Sequence, residues 1–174
     1  MAELRQELEC TGLRVTSQWP AAAATLRYFS EAGDLALRLR SAGFALPGTG
    51  RARDSGRDVV LAWRSPSETL CLAGSERALA ELRHCVEGAA DGCLVVLTGA
   101  LTLMRLQGER TQDLLVRLGG SATVPAAGDS RRGRLGDIAV LALRPTAGET
   151  WLVVESGLAE HLWGWISQTL LDFT

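Results

Sequence analysis

Apolar positions bunch or alternate over Thr25–Phe29, Asp58–Arg64 (DVVLAWR) and Glu68–Ala73 (ETLCLA), which predicts three strands. Between the first two, Leu35, Leu39 and Ala42 fall on one face of a helix predicted over Glu31–Ala42. Ser65-Pro66-Ser67 supplies a turn between the second and third strands. Ser75 then stands where it can cap a helix over Glu76–Glu87. The pattern resumes with strands at Cys93–Leu97 (CLVVL) and Leu101–Leu106 and a helix over Glu109–Leu118. Strands at Asp137–Leu143 and Thr150–Glu155 flank Pro145–Gly148, and a closing helix covers Gly157–Leu171. On that helix Leu158, Leu162, Trp165 and Ile166 form the predicted inward stripe. That stripe turns Trp163 to the opposite flank.

The two halves of this pattern resemble each other. Asp34, Leu35, Arg38 and Leu39 recur 79 residues later as Asp113, Leu114, Arg117 and Leu118. The same offset carries Asp58-Val59 to Asp137-Ile138 and Pro66 to Pro145. An offset of 81 carries Glu68-Thr69 to Glu149-Thr150 and Ser75 to Ser156. The expected fold is therefore α+β, internally duplicated, with each copy a ferredoxin-like βαββα unit. Together the copies form one domain over residues 24–174, with pseudo-repeats at 24–92 and 93–174. Residues 1–23 stand outside the repeat and read as an N-terminal arm, and Ser17–Ala24 as a loop.

Composition removes several chemistries. All 18 basic residues are arginine, so there is no Schiff-base or Walker-A lysine. A net charge of −2 without a basic cluster speaks against nucleic acid. No apolar run reaches the ~20 residues of a membrane span. Glu3, Glu7 and Glu9 are unlike a secretory signal, so a cytoplasmic location is expected. Cys10, Cys71, Cys85 and Cys93 show neither CxxC spacing nor a metal pattern with His84 or His161. Nucleotide-loop, zincin and nucleophile-elbow motifs are absent. No catalytic, cofactor-binding or metal-ligating residue is assigned.

The candidate site residues are instead interface residues. Gly48–Arg57 (GTGRARDSGR) and Gly128–Gly136 (GDSRRGRLG) occupy matching places in the two halves, as solvated loops rich in arginine. Arg51, Arg53, Arg57, Arg131, Arg132 and Arg134 would pair with carboxylates of a partner. Trp163, read as outward-facing, would be the aromatic anchor.

Leu101–Leu115 (LTLMRLQGERTQDLL), Gly136–Leu143 (GDIAVLAL) and the stretch from Trp151 to Trp165-Ile166 carry a family likeness. Gly108 opening a helix with Leu114-Leu115, and the Trp-Ile ending, resemble the folate-binding fold. That superfamily includes the glycine-cleavage aminomethyltransferases and the gamma subunits of heterotetrameric sarcosine oxidases. Leu61–Trp63 followed by Ser65-Pro66-Ser67-Glu68-Thr69-Leu70 resembles the gamma-subunit pattern Gly-Pro-x-Glu-Trp-Leu. The chain departs from it at Ser65 and Thr69. Val96-Leu97-Thr98 also replaces the Asp-Val-Ser common in the superfamily.

The resemblance implies a non-catalytic accessory subunit of a multimeric sarcosine or N-methyl-amine oxidase, stabilising the large folate-domain subunit. It implies alpha-like and flavin-bearing beta-like partners, with FAD, FMN, NAD, tetrahydrofolate and zinc all held on other subunits. The alternative is a stand-alone folate-binding or one-carbon transfer protein. A homodimer is a further alternative for the isolated chain.

Overall fold

The computed structural model describes residues 6–18 and 22–173. The chain divides into two compact units, one made of residues 1–19 and 100–174, the other of residues 20–99. The first unit begins with a hairpin of β1 (Gln6–Cys10) and β2 (Leu13–Gln18). Gly12, at φ +78°, closes the turn. Leu8 and Cys10 turn inward while Glu7 and Glu9 face solvent, a two-residue period.

The second unit is continuous in sequence. It contains β3 (Ala22–Tyr28), α1 (Asp34–Ser41), β4 (Ala52–Asp54), β5 (Val59–Ser65), β6 (Glu68–Ala73), α2 (Glu76–Val86) and β7 (Gly92–Val96). Its sheet runs β4-β5-β6-β3-β7, every pair antiparallel. Ala22, Ala24, Leu26 and Tyr28 alternate onto one face, where Leu35 and Leu39 of α1 and Leu79 and Leu82 of α2 bury against them. The start of α1 is held from a distance. The Asp91 carboxylate accepts from the Leu35 N–H at 2.8 Å, and Asp34 accepts from the Ala90 N–H at 3.1 Å. That backbone bond, then Arg38, lowers the Asp34 pKa, so the tie is kept above the usual carboxylate range and lost as acid protonates it. A Cβ on Gly33 would stand 1.5 Å from the Asp91 carboxylate, so any side chain there would have to displace that carboxylate.

Ser75 caps α2 as the sequence predicts, its hydroxyl accepting from the Ala78 N–H at 3.2 Å. Replacing Ser75 with Ala leaves that N–H without its partner and is expected to cost about 0.5–2 kcal/mol. Urea denaturation reads this as a lower midpoint at unchanged slope; an unchanged midpoint would remove the cap from the account.

The first unit resumes with β8 (Leu101–Gln107), α3 (Thr111–Gly119), β9 (Ser130–Leu135), β10 (Ile138–Thr146), β11 (Glu149–Glu155) and α4 (Ala159–Leu170). Its sheet runs β1-β2-β8-β11-β10-β9. Val15, Met104, Leu106, Val140, Leu152 and Val154 face Leu114, Leu115, Leu162, Ile166 and Leu170 of the helices. The end of the chain is clamped. Arg110 donates to the Phe173 carbonyl at 2.7 Å, Arg117 pairs with Asp172 at 3.0 Å, and both guanidinium groups lie over the Phe173 ring.

The α+β reading and the main strands and helices stand, with four differences. Residues 6–18 are not an arm but a hairpin whose second strand pairs with β8, because Leu13 and Val15 are needed to fill the core. Ser17 and Gln18, read as loop, end that strand, whereas β3 already begins at Ala22; Trp19 to Ala21 lie outside the described residues. The strand at 92–96 closes the second unit by pairing with β3, so the boundary near residue 92 moves to about residue 99. The two arginine-rich stretches are not free loops: they contain the edge strands β4 and β9.

Candidate functional site

Trp163, expected as an outward-facing anchor, lies on the inner side of α4. Trp163 is half-buried and packs against the core of the first unit. The inward stripe of α4 is Ala159, Leu162, Trp163, Ile166 and Leu170, which places Trp165 outside it. Trp165 is 45% exposed, and Leu158, seven residues earlier on the same flank, is 40% exposed. The Trp165 indole N–H donates to His161 Nε2 at 3.3 Å, and the two rings meet edge to face. Trp165 also lies over the β9–β10 turn, where a Cβ on Gly136 would be 3.5 Å from its nitrogen. An exposed indole fixed by a helix, a ring and a turn has little freedom to lose on binding.

The arginines line sheet edges. Arg131, Arg132 and Arg134 lie on β9, the last strand of the six-stranded sheet, and all are exposed. Arg131 pairs with Asp129 at 3.4 Å and Arg134 donates to the Asp137 carbonyl. Arg53 lies on β4, the edge of the other sheet, beside Arg51, whose carbonyl accepts from the Trp63 N–H. Arg57 stacks over Phe44 at 5.4 Å. Charges at these places stop edge strands from pairing indiscriminately, so Arg53, Arg131, Arg132 and Arg134 have a structural duty within their own units.

Two polar features were not anticipated from the sequence. Arg105 of β8 reaches Glu149 at 3.6 Å and lies 4.7 Å over the Trp151 ring. The Gln18 side-chain oxygen, in the orientation that satisfies both partners, accepts from its guanidinium at 2.7 and 2.9 Å. These residues tie β2, β8 and β11 together on one face of the sheet. No local pattern in the sequence marks them, because the three segments meet only through the strand order. The second feature is a recess lined by Gln6, Ser17, Thr102, Ser156, Gly157, Ala159 and Glu160. Its Thr102 and Ser156 hydroxyls bond each other at 3.2 Å. Among the described residues no histidine lines this recess and the carboxylate there, Glu160, is exposed, so its serines gain no buried base from them.

Among the described residues nothing else resembles a reaction centre. Burial pushes the Cys71 thiol up to about 12, which holds it in the unreactive protonated form. His84 is exposed and lies 3.5 Å from Glu87. Among the described residues no three His, Cys, Asp or Glu side chains gather as metal ligands. Among them, too, no helix is long and apolar enough to cross a membrane.

No protein-family model matches the sequence, and a search of curated proteins returned no match. Solved structures do match. A chain of the heterotetrameric sarcosine oxidase from Corynebacterium sp. U-96, in complex with pyrrole 2-carboxylate, superposes with a TM-score of 0.79 at 17% identity. The alignment covers 96% of this chain and 88% of that one. The fold is that of a sarcosine oxidase chain. The glycine cleavage system aminomethyltransferase T from Bartonella henselae also matches, with a TM-score of 0.59 and 17% identity. There the alignment takes in 83% of this chain but 42% of the other. The sequence-level resemblance to an aminomethyltransferase-like fold is thus supported at the level of architecture.

Proposed function

We propose that this chain is a non-catalytic, gamma-like accessory subunit of a multimeric sarcosine or N-methyl-amine oxidase, and that it steadies the folate-domain region of a larger alpha-like subunit. The observation that carries the reading is the near end-to-end match to a chain of a heterotetrameric enzyme, in which neither chain has much length to spare. The aminomethyltransferase match, by contrast, leaves more than half of that enzyme without a counterpart here. The recess residues offer hydroxyls and an exposed carboxylate rather than a buried acid, so no cofactor is assigned to this chain. FAD, FMN, NAD, tetrahydrofolate and zinc are assigned to the other subunits. We also read the shared order of elements as an internal duplication. Each unit contains the run strand, helix, three strands, helix, and in each the first of these strands lies inside its sheet rather than at an edge.

Within this proposal Trp165 and Leu158 supply the apolar anchor, the arginines of β9 form a polar rim that sets register, and those of the second unit pair with partner carboxylates at a contact of their own. Co-expression with an alpha-like and a flavin-bearing beta-like subunit is expected to yield a complex. In that complex Trp165→Ala should weaken retention of this chain by at least about tenfold, a hot-spot effect. The purified chain should be colourless and lack amine-oxidase activity. Stoichiometric flavin, or saturable quenching of its tryptophans by tetrahydrofolate at one site per chain, would replace this reading with one-carbon transfer.

A further inference from the structure

Four strands lie at sheet edges: β1 and β9 in one unit, β4 and β7 in the other. Three carry charge that discourages pairing: Glu7 and Glu9 on β1, Arg131, Arg132 and Arg134 on β9, and Arg53 and Asp54 on the three-residue β4. β7 carries none. From Gly92 to Gly99 the sequence is GCLVVLTG, without a charge or a proline. Cys93 is exposed, Val95 is 40% exposed and Val96 51%. At the end of the neighbouring strand Phe29 is 93% exposed.

The hydrogen bonds to β3 fix which backbone groups are spare. Phe29 N–H donates to the Asp91 carbonyl and Leu97 N–H to the Ala23 carbonyl. With the register Thr25↔Val95 and Arg27↔Cys93, the odd-numbered residues of β7 therefore bond inward. By the alternation of an antiparallel ladder, Gly92, Leu94 and Val96 direct their N–H and C=O groups away from the sheet.

We propose that this edge is a dimerisation strand, and that its occupant is β7 of a second copy, antiparallel, about a two-fold axis at Leu94. The strand is complementary to itself. Only even-numbered residues can form the bonded pairs, and the alignment that uses the whole strand places Leu94 opposite Leu94 and Gly92 opposite Val96. No charge on β7 meets a like charge, and the smallest residue faces an exposed valine. The remaining pair, Cys93 opposite Val95 of the second copy, is a non-hydrogen-bonded pair with Cα atoms about 4.5 Å apart. The two five-stranded sheets become one continuous sheet. This assignment does not depend on the accessory-subunit reading, and its failure would leave that reading intact.

The register makes a specific test. A thiol introduced by Val95→Cys would face Cys93 of the other copy within disulfide reach, while two thiols two residues apart on one extended strand cannot bridge each other. Mild oxidation of V95C is expected to give a covalent dimer, with peptide mapping joining Cys93 to the introduced thiol. Wild type and V96C, whose side chain lies on the other face, should not bridge in this way. Light scattering of unoxidised wild type should give a dimer, and Val95→Arg should give a monomer with an unchanged circular dichroism spectrum, since Val95 is already exposed. A wild-type monomer at every concentration, a dimer that survives V95R, or bridges mapped to other positions would overturn the proposal. The first of these is also the result expected if a foreign strand is the true occupant.

Discussion

Leu39→Ala lowers stability by about 2–5 kcal/mol, and Leu118→Ala by roughly half as much. The sequence repeat makes the two leucines equivalent, both the fifth residue after a helix-opening Asp-Leu pair begins. The structure makes them unequal. Leu39 is fully buried among Leu35, Leu82 and the β3 residues, whereas Leu118 is half-buried at the end of α3. Truncating a fully enclosed leucine removes its transfer free energy and leaves a cavity that its neighbours only partly fill. At the rim, water replaces the missing methyls, and little cavity term remains. Urea denaturation followed by far-UV circular dichroism, with hydrogen exchange of α1 and α3 to localise the effect, measures both. Equal losses would contradict the difference in burial, and no loss at Leu39 would contradict its place in the core.

Gly108→Ala is expected to be the most damaging of the glycine substitutions in the first unit, at about 2–5 kcal/mol. Gly108 ends β8 with φ +126°, where a side chain is strained whatever the space around it. A Cβ there would lie 2.2 Å from the Gly12 carbonyl oxygen and 3.0 Å from the Leu13 Cα. Both obstacles are backbone, so no rotamer change relieves them. The turn of the β1–β2 hairpin would have to lift, releasing the Arg110 N–H bond to Gly12 and the Arg14↔Gln107 end of the ladder. Gly12→Ala is the control. Its φ of +78° is also strained, but its Cβ would meet only the side chains of Glu109 and Arg110, at 3.2 Å or more, and these can move. Gly12→Ala should therefore cost about 1–2 kcal/mol. Hydrogen exchange should quicken across β1 and β2 in the Gly108 variant and much less in the Gly12 variant. The reverse order would remove the close backbone approach as the cause.

Strands buried on one or both faces were legible because their apolar residues are uninterrupted, as in Val59–Trp63 and Thr69–Ala73. The edge strands were not. Ser130–Leu135 contains three arginines and a glycine, and only its end residues are buried, so its two-residue period is hidden beneath the charge that protects the edge. The β1–β2 hairpin did leave a signal. Leu8 and Cys10, then Leu13 and Val15, alternate around Thr11-Gly12, but the segment stands outside the repeat and so read as an arm. The error on α4 came from its first residue. Starting the apolar stripe at Leu158 selects Trp165, whereas the α-helix starts at Ala159, and from there the stripe selects Trp163. The Arg105 clamp draws on Gln18, Glu149 and Trp151, three segments whose adjacency depends on the β2–β8–β11 order, which no local pattern encodes.

The pairing of β2 with β8 sets an order of events during synthesis. Ser17 stands opposite Met104, with the whole second unit between them in the chain. Closing so long a loop costs little more than closing one half its length, about 0.6 kcal/mol per doubling. The cost lies in waiting. At about 5–20 residues per second, the β1–β2 hairpin leaves the ribosome several seconds before β8 exists to receive it. During that interval residues 20–99 can complete their own sheet, while Leu13 and Val15 have nowhere to bury. Glu7 and Glu9 on the outer strand, with Arg14 bonded to Glu7 at 2.7 Å, give the waiting hairpin a charged face. Those charged side chains let the hairpin stay solvated until its partner strand is made.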